Sequence, residues 1–497
     1  MTGPEPDPTP FDDAELGPDD TEADVSGATA DLDDETGEIT PAAPPLTLPV
    51  VEALLDRRWP ETAISPTLQR ITALLDLLGN PQQAYPVIQI AGTNGKTSVS
   101  RMIDALLSRL GLRTGRLTSP HLQLVTERIS LDGMPIDTER YLDTYADVAP
   151  YIDLVDAASR AAGGVDLSKF EVLTAMAFAA FADTPVEIAV IEVGLGGTWD
   201  ATNVVDAGVA AITPIGIDHT EYLGYTIEEI AGNKAGIIKP GAVAVIGAQE
   251  PEAMRVLLER AVEVDATVAR FDSEFAVLDR EFAVGGQRLN LRGLGGVYPD
   301  VFLPLAGAHQ AANASLALAA VEAFFGAGVG KQLDTDAVQD GFAAVASPGR
   351  LERVRTSPTI LVDAAHNPHG ARALATALDE EFAFTRLVGV IAVMADKDAV
   401  GICEALVDTF DDVVVTVNSS PRSMPVDRLA DIAEDVFGPR RVHRAARMDE
   451  AIALAVDLAE AGTERAAETG GAGSGVVITG SVVSAGDGRT LAGLAPA

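Results

Sequence analysis

The chain reads as an α/β protein in two parts, each built around a mainly parallel sheet. Three observations predict this. Near-continuous apolar runs at 186–193, 209–212 and 243–246 have the composition of strands covered on both faces. Helical patterns stand between such runs, notably at 226–235. After Ser347-Pro348-Gly349, a hinge-like break, the alternation begins again with strand-like runs at 359–362, 387–393, 412–417 and 476–479.

In chain order, amphipathic helices are expected to begin at 50–55 and to span 66–78, followed by an apolar strand at 85–91. That strand runs into Gly92-Thr93-Asn94-Gly95-Lys96-Thr97-Ser98, and a helical pattern follows at 99–110. A strand, a glycine-containing turn and a helix in this order make a phosphate cradle. Backbone N–H groups of the turn point at phosphate oxygens and the helix start adds a favourable dipole. Lys96 can reach outer phosphates, and Thr97 or Ser98 can offer a hydroxyl to phosphate or Mg²⁺. The turn is shorter than the usual Walker A form, with Ala91 standing at the place of its first glycine. Residues 173–181 read as a buried helix. Residues 271–305 hold short alternating strands, at 275–278 and 289–291, as a small antiparallel insertion. Helices follow at 310–325 and to near 345, and a small-residue loop is expected at 464–475.

At 497 residues the chain exceeds one ordinary core. No stretch of about 18 uncharged apolar residues suggests a membrane span, and the start lacks a basic-then-apolar signal pattern. The lone Cys403 excludes an intrachain disulfide framework and fits a reducing cytoplasm; its apolar helical setting makes it a buried small hydrophobe. Residues 1–40 hold fourteen acids and no Lys or Arg, hence −14 of the net charge of −39. This Pro- and Gly-rich head is expected to be disordered. The remaining acidity disfavours nonspecific nucleic-acid binding.

Two further strand ends attract chemistry. Glu192 leaves a buried strand in Glu192-Val193-Gly194-Leu195-Gly196-Gly197, and Asp218-His219 follows the next strand. Open parallel sheets bind ligands at these carboxyl ends, and a buried glutamate there needs a charge or metal partner. Asp218 as a helix cap and His219 as a packing residue is the competing reading. Lys234 falls near a helix end, where a cation favours the dipole.

These strings, in order, resemble the folylpolyglutamate synthase/dihydrofolate synthase family of the Mur-ligase-like superfamily, and in particular its actinobacterial members. The resemblance spans about residues 48–490. It includes 91–98, Thr118-Ser119-Pro120-His121-Leu122, Glu127-Arg128-Ile129, Phe170-Glu171, 192–197 and Asp200-Ala201-Thr202-Asn203-Val204. It continues through Asp218-His219, Lys234-Ala235-Gly236-Ile237, His309-Gln310, Asn313-Ala314, Pro348-Gly349-Arg350-Leu351-Glu352 and Asp363-Ala364-Ala365-His366-Asn367-Pro368.

The resemblance implies a Mur-ligase-like α/β fold: a P-loop ATPase domain, then a smaller Rossmann-like domain. The implied division is an acidic extension at 1–45, a catalytic domain at 46–346 and a ligase domain at 347–497. It implies ATP-driven addition of L-glutamate to dihydropteroate, and to the γ-carboxylate of tetrahydrofolate or its polyglutamates, through an acyl phosphate. Folylpolyglutamate synthase activity alone, or another Mur-type amino-acid ligase, are the alternatives. The implied ATP contacts are Gly92, Thr93, Asn94, Gly95, Lys96, Thr97, Ser98, Asn313, Arg350 and Asp363. Ser119, Glu192 and His219 match Mg²⁺ positions, and Lys234 matches a lysine found carbamylated in relatives. Lys96, Lys234, Asp363 and His366 are the implied catalytic set. A cytoplasmic monomer that binds neither nucleic acid nor membrane is expected. On spacing alone, Ser119 can be a turn residue, Arg350 a hinge ion pair, Asp363 a helix cap and His309 a core residue. Two positions depart from the usual family pattern: Thr198 replaces an arginine after the paired glycines, and Asn233 replaces a glutamate before Lys234.

Overall fold

Alternating faces of one buried strand show how the first sheet is covered. In β5 (Ile188–Glu192), Ala189 and Ile191 enter one apolar cluster while Ile188 and Val190 enter another. A strand walled on both sides needs apolar residues at every position, which is the run seen in the sequence. The computed structural model describes residues 46–59, 65–326, 328, 330–467 and 473–496, and Leu48–Ala497 forms one unit. The acidic segment 1–45, expected to be disordered, lies outside the described residues.

The first sheet contains β1 (Val87–Ala91), β2 (Thr114–Leu117), β3 (Ile129–Leu131), β4 (Met134–Pro135), β5, β6 (Val209–Ile212), β7 (Val243–Ile246) and β8 (Thr267–Arg270). Their order is β4-β3-β2-β5-β1-β6-β7-β8, with β3 and β4 antiparallel at one edge and the rest parallel. One face carries α1 (Leu48–Asp56), α2 (Gln69–Leu77), α4 (Thr138–Ala161) and α5 (Lys169–Asp183). The other carries α3 (Lys96–Arg109), α9 (Ala308–Phe324) and α10 (Thr335–Ala343). Between β6 and β8 lie α6 (Thr220–Leu223), α7 (Ile227–Lys234) and α8 (Pro251–Glu263). The expected insertion is a three-stranded antiparallel sheet of β9 (Ala276–Ala283), β10 (Gly286–Arg292) and β11 (Val297–Leu303).

Helix starts follow capping chemistry. Ser168 and Glu171 cap α5 reciprocally, the Ser168 hydroxyl accepting from Glu171 N at 3.1 Å and the Glu171 carboxylate from Ser168 N at 2.8 Å. Thr226 and Glu229 do the same for α7.

The smaller second sheet contains β12 (Glu352–Thr356), β13 (Thr359–Val362), β14 (Arg386–Ile391), β15 (Asp412–Val415), β16 (Val442–Arg444) and β17 (Ser474–Thr479), ordered β12-β13-β17-β14-β15-β16. All pairs are parallel except β12–β13. On one face pack α11 (Pro368–Glu381), α12 (Ala399–Leu406) and α13 (Val426–Phe437), and on the other α14 (Met448–Ala467) and α15 (Val482–Leu491). Cys403 on α12 is buried, as expected. Among the described residues no helix is long and apolar enough to cross a membrane.

Two expectations need correction. The segment after the hinge opens with the antiparallel β12–β13 hairpin, so Asp363 follows the second strand of this part, not its first. β12 reads Glu-Arg-Val-Arg-Thr at a sheet edge, where Val354 alone packs on the apolar cluster and the other positions are polar and largely exposed. The expected loop at 464–475 is helical to Ala467 and extended from Ser474, while 468–472 lie outside the described residues.

Candidate active site

The phosphate loop lies at the carboxyl edge of the first sheet, with β1 flanked by β5 and β6. Glu192 ends β5 and Thr213 follows β6, so three strand ends meet there. Gly92 has φ +150°, and a Cβ on it would collide with the Thr213 hydroxyl. Only glycine lets the two backbones approach this closely. The Thr93 amide donates to Pro214 O at 3.0 Å, and its hydroxyl exchanges hydrogen bonds with Gly216 O and N at 3.0 Å each.

Lys96 folds back on this loop, donating to Gly92 O at 3.3 Å and Thr93 O at 3.2 Å. Burial lowers its pKa, opposed by the charges of Glu192 and Asp218. Thr97 donates to Glu192 Oε1 at 2.9 Å. Ser98 instead turns into the core, against Gln310 at 3.3 Å and the hinge Ser347 at 3.2 Å. Of the two hydroxyls, Thr97 is the one beside the carboxylate.

Glu192 is 1% exposed, and its Oε2 is buried without a hydrogen-bond partner. Burial raises its pKa against Lys96, the Thr97 hydroxyl, Arg350 and the Ser119 amide. An orphaned carboxylate oxygen beside Ser119 and a hydroxyl suits a hard divalent cation, which accepts one or two protein oxygens and completes its shell with phosphate and water. Among the described residues no three His, Cys, Asp or Glu gather as a metal cluster. His219, on the same cavity, has its Nε2 3.3 Å from Lys397 Nζ. Burial and then Lys397 lower its pKa to about 4, which keeps the imidazole neutral as ligation requires.

Lys234, at the end of α7, is 4% exposed and donates to Gly92 O at 2.7 Å. Burial, with Lys96 adding to it, lowers its pKa to about 7. Between pH 7 and its ordinary value of 10.5 the unfolded chain takes a proton that the folded chain refuses, so stability rises with pH across that window. In CO₂-free buffer Lys234→Met is expected to unfold at a higher temperature than the parent at pH 7. That gap should narrow by pH 9; a gap constant with pH in thermal melts would contradict the assignment. The two family departures touch one another, since Thr198 N and Oγ1 both donate to Asn233 O at 2.9 Å.

Asp363, His366, Arg350 and Asn313 line the same cavity as the phosphate loop. Four of the six histidines do so, at 219, 309, 366 and 369, which concentrates the chain's imidazoles at one place. Burial, with Arg350 next, lowers His309 to about 4. The Asp363 carboxylate accepts from Leu351 N, next to Arg350, at 2.9 Å and from Ala365 N at 2.9 Å. The α11 cap is Asn367, accepting from Gly370 N at 2.8 Å, and not Asp363. His366 donates from Nδ1 to Ala364 O at 3.0 Å, leaving Nε2 3.7 Å from Asp218 Oδ2.

Asp218 joins the two halves of the cleft. It accepts from Lys397 Nζ at 2.6 Å and Asn367 Nδ2 at 3.0 Å. Burial pushes its pKa up, but the neighbouring His366 imidazole and the Lys397 ammonium outweigh it and hold the carboxyl well below the usual range. Asn94 and Asn367 exchange reciprocal amide hydrogen bonds at 3.1 Å each. Sequence reasoning missed Lys397. Its signal was Ala395-Asp396-Lys397-Asp398, charged residues just past the apolar strand β14.

A phosphate loop and an acid–lysine constellation, closed over by a second α/β part, define a Mur-type ATP-dependent amide-forming ligase. The Mur ligase middle-domain family model matches residues 166–321, and the Mur ligase glutamate ligase domain matches 349–481. The chain belongs to the dihydrofolate synthase/folylpolyglutamate synthase family. It is 60% identical to the dihydrofolate synthase/folylpolyglutamate synthase of Mycobacterium tuberculosis, over 90% of this chain and 94% of that protein. It is 35% identical to the folylpolyglutamate synthase of Lacticaseibacillus casei, over 74% of this chain and 85% of that protein. The solved structure of Mycobacterium tuberculosis folylpolyglutamate synthase complexed with ADP superposes with a TM-score of 0.86 at 59% identity, covering 90% of this chain and 99% of that one.

Proposed function

We propose that this protein ligates L-glutamate to dihydropteroate and to the γ-carboxylate of tetrahydrofolate and its polyglutamates. The observation that carries this reading is the 60% identity, across nearly the whole length, to a relative named for both activities. The acceptor carboxylate would take the γ-phosphoryl group of ATP. The amine of glutamate would then attack the acyl phosphate, expelling phosphate and losing a proton.

Gly92 to Ser98 are assigned to the ATP phosphates, Ser98 through its helix-start N–H because its hydroxyl is turned to Gln310 and Ser347, with Lys96 leaving its two carbonyls to neutralise developing charge. Asn313, Arg350 and Asp363 are assigned to the nucleotide from the facing walls. Ser119, Glu192 and His219 would hold Mg²⁺, whose chemistry is to screen phosphate charge and polarise the transferring group. The near-neutral pKa of Lys234 supports its carbamylation, because only the free amine adds CO₂. Lys234, Asp363 and His366 would then orient the acyl phosphate and the incoming amine. The division at 1–45, 46–346 and 347–497, the monomeric state and a cytoplasmic location belong to the same proposal.

Purified full-length protein supplied with ATP, Mg²⁺ and glutamate should form ADP, and a product heavier by one glutamyl group, with dihydropteroate and with tetrahydrofolate alike. Product from tetrahydrofolate alone would reduce the function to folylpolyglutamate synthesis. ATP consumption that ignores both acceptors would refute it.

A further inference from the structure

The loop carrying Ser119 to the cavity is not held by its own half of the molecule alone. Glu127 stiffens it from within, its carboxylate accepting from the amides of Leu122 at 2.8 Å and of Gln123 and Leu124 at 3.1 Å each. The outer side of the loop lies on α15, the last described helix. Gln123 donates to Thr490 Oγ1 at 3.2 Å and Leu494 O at 3.0 Å, and accepts from Arg489 Nε at 3.0 Å. Leu122 packs against the apolar cluster that includes Val362 and Ala485. Its carbonyl oxygen occupies the space a Cβ at Gly486 would fill.

Arg489 is 3% exposed and stands outside the cavity lining. Besides Gln123, its guanidinium pairs with Glu352 Oε1 and donates to Ala495 O at 2.7 Å. The other Glu352 oxygen accepts from Gly349 N at 2.8 Å, at the hinge residue just before Arg350. One planar cation therefore ties together the loop that ends at Ser119 and the turn that presents Arg350. Ser119 and Glu192 line the same cavity, and the Arg350 charge acts on both Glu192 and Asp363.

We propose that Arg489 is a positioning residue for the ligase reaction, setting Ser119 and Arg350 at the phosphate site through Gln123 and Glu352. This rests on the assignment of the cavity as the ATP and acceptor site. A buried guanidinium holds such a junction because its fork meets several acceptors in fixed directions, which an ammonium cannot do. Displacement of a reacting group by about 1 Å can cost about a hundredfold in rate.

Three full-length variants test this. Gln123→Ala cuts the loop tie and leaves Arg489 on Glu352 and Ala495. Gly486→Ala pushes the Leu122 carbonyl without altering any charge, at a helical position where alanine is intrinsically favoured. Arg489→Lys keeps the charge and loses the fork. Kinetics with ATP, glutamate and tetrahydrofolate are read beside ADP affinity and thermal unfolding. Gln123→Ala and Gly486→Ala should each lower kcat about tenfold or more and weaken ADP affinity, with the unfolding midpoint near the parent for Gln123→Ala and lower for Gly486→Ala, whose added Cβ must displace the Leu122 carbonyl. Arg489→Lys should lose at least as much, and if it fails to fold the other two decide. Parental kcat and ADP affinity in both Gln123→Ala and Gly486→Ala would overturn the proposal. Lys96→Ala, run alongside, separates the failures. A dead Lys96→Ala with normal loop variants rejects only the positioning role, whereas an active Lys96→Ala rejects the cavity assignment beneath it.

Discussion

Lys96→Ala is expected to lower kcat/KM at least about a hundredfold, which corresponds to roughly 2.7 kcal/mol of lost transition-state stabilisation. Lys96 is the phosphate-loop cation, held over Gly92 and Thr93 where outer phosphates would lie. The fold should survive the change. Burial lowers the Lys96 pKa, so the folded chain holds its proton less well than the unfolded chain, and near neutral pH the charged side chain opposes folding. The variant should therefore unfold at or above the parental temperature while turning over poorly. Near-normal turnover by a folded, soluble Lys96→Ala would remove this residue from the reaction.

The second large effect is expected at Asp218. Asp218→Ala leaves Lys397, with its side chain 12% exposed, without its carboxylate and deprives Asn367 of an acceptor. Breaking a buried ion pair from one side typically costs about 3–5 kcal/mol. Here the loss falls on contacts between the phosphate-loop half and the Asn367–Lys397 half. We therefore expect kcat to fall about a hundredfold and small-angle scattering to report a larger radius of gyration for the apo variant than for the parent. ATP analogue with folate should draw the parent to its most closed form, shielding the acyl phosphate from water. An unchanged radius together with parental kcat would show that this ion pair does not govern closure.

How far the sequence discloses such features depends on how local their causes are. The phosphate loop was legible because strand, glycine turn, lysine and helix lie within about two dozen residues and each has its own signature. β5 was legible because its two walls impose one composition. The Asp218–Lys397 pair was not, since 179 positions separate the partners and only the topology brings them together. The Arg489–Gln123 contact spans 366 positions and is likewise invisible to any periodicity. β8, β12 and β16 escaped notice because short edge strands have polar faces that read as loop. Ser98 illustrates the limit inside a motif. Its spacing offers a hydroxyl to phosphate, yet α3 turns it toward Gln310 and Ser347.

The paired amides of Asn94 and Asn367 carry a consequence for how the enzyme cycles. Each is at once donor and acceptor to the other, and neither bears charge. Parting them hands two amides back to water, which satisfies both equally, so the separation is nearly balanced in free energy. The join itself carries no charge to be screened, unlike the Asp218–Lys397 pair beside it, while each amide also reaches a titratable neighbour, Asn94 Nδ2 lying 2.8 Å from His369 Nδ1 and Asn367 Nδ2 donating to Asp218. Because Asn94 belongs to the nucleotide loop itself, any ligand that stiffens that loop in the joined shape also favours the joined halves, and by reciprocity the joined halves retain that ligand more tightly. Spent nucleotide would then leave at the tempo of a zip fastener whose own teeth are neutral.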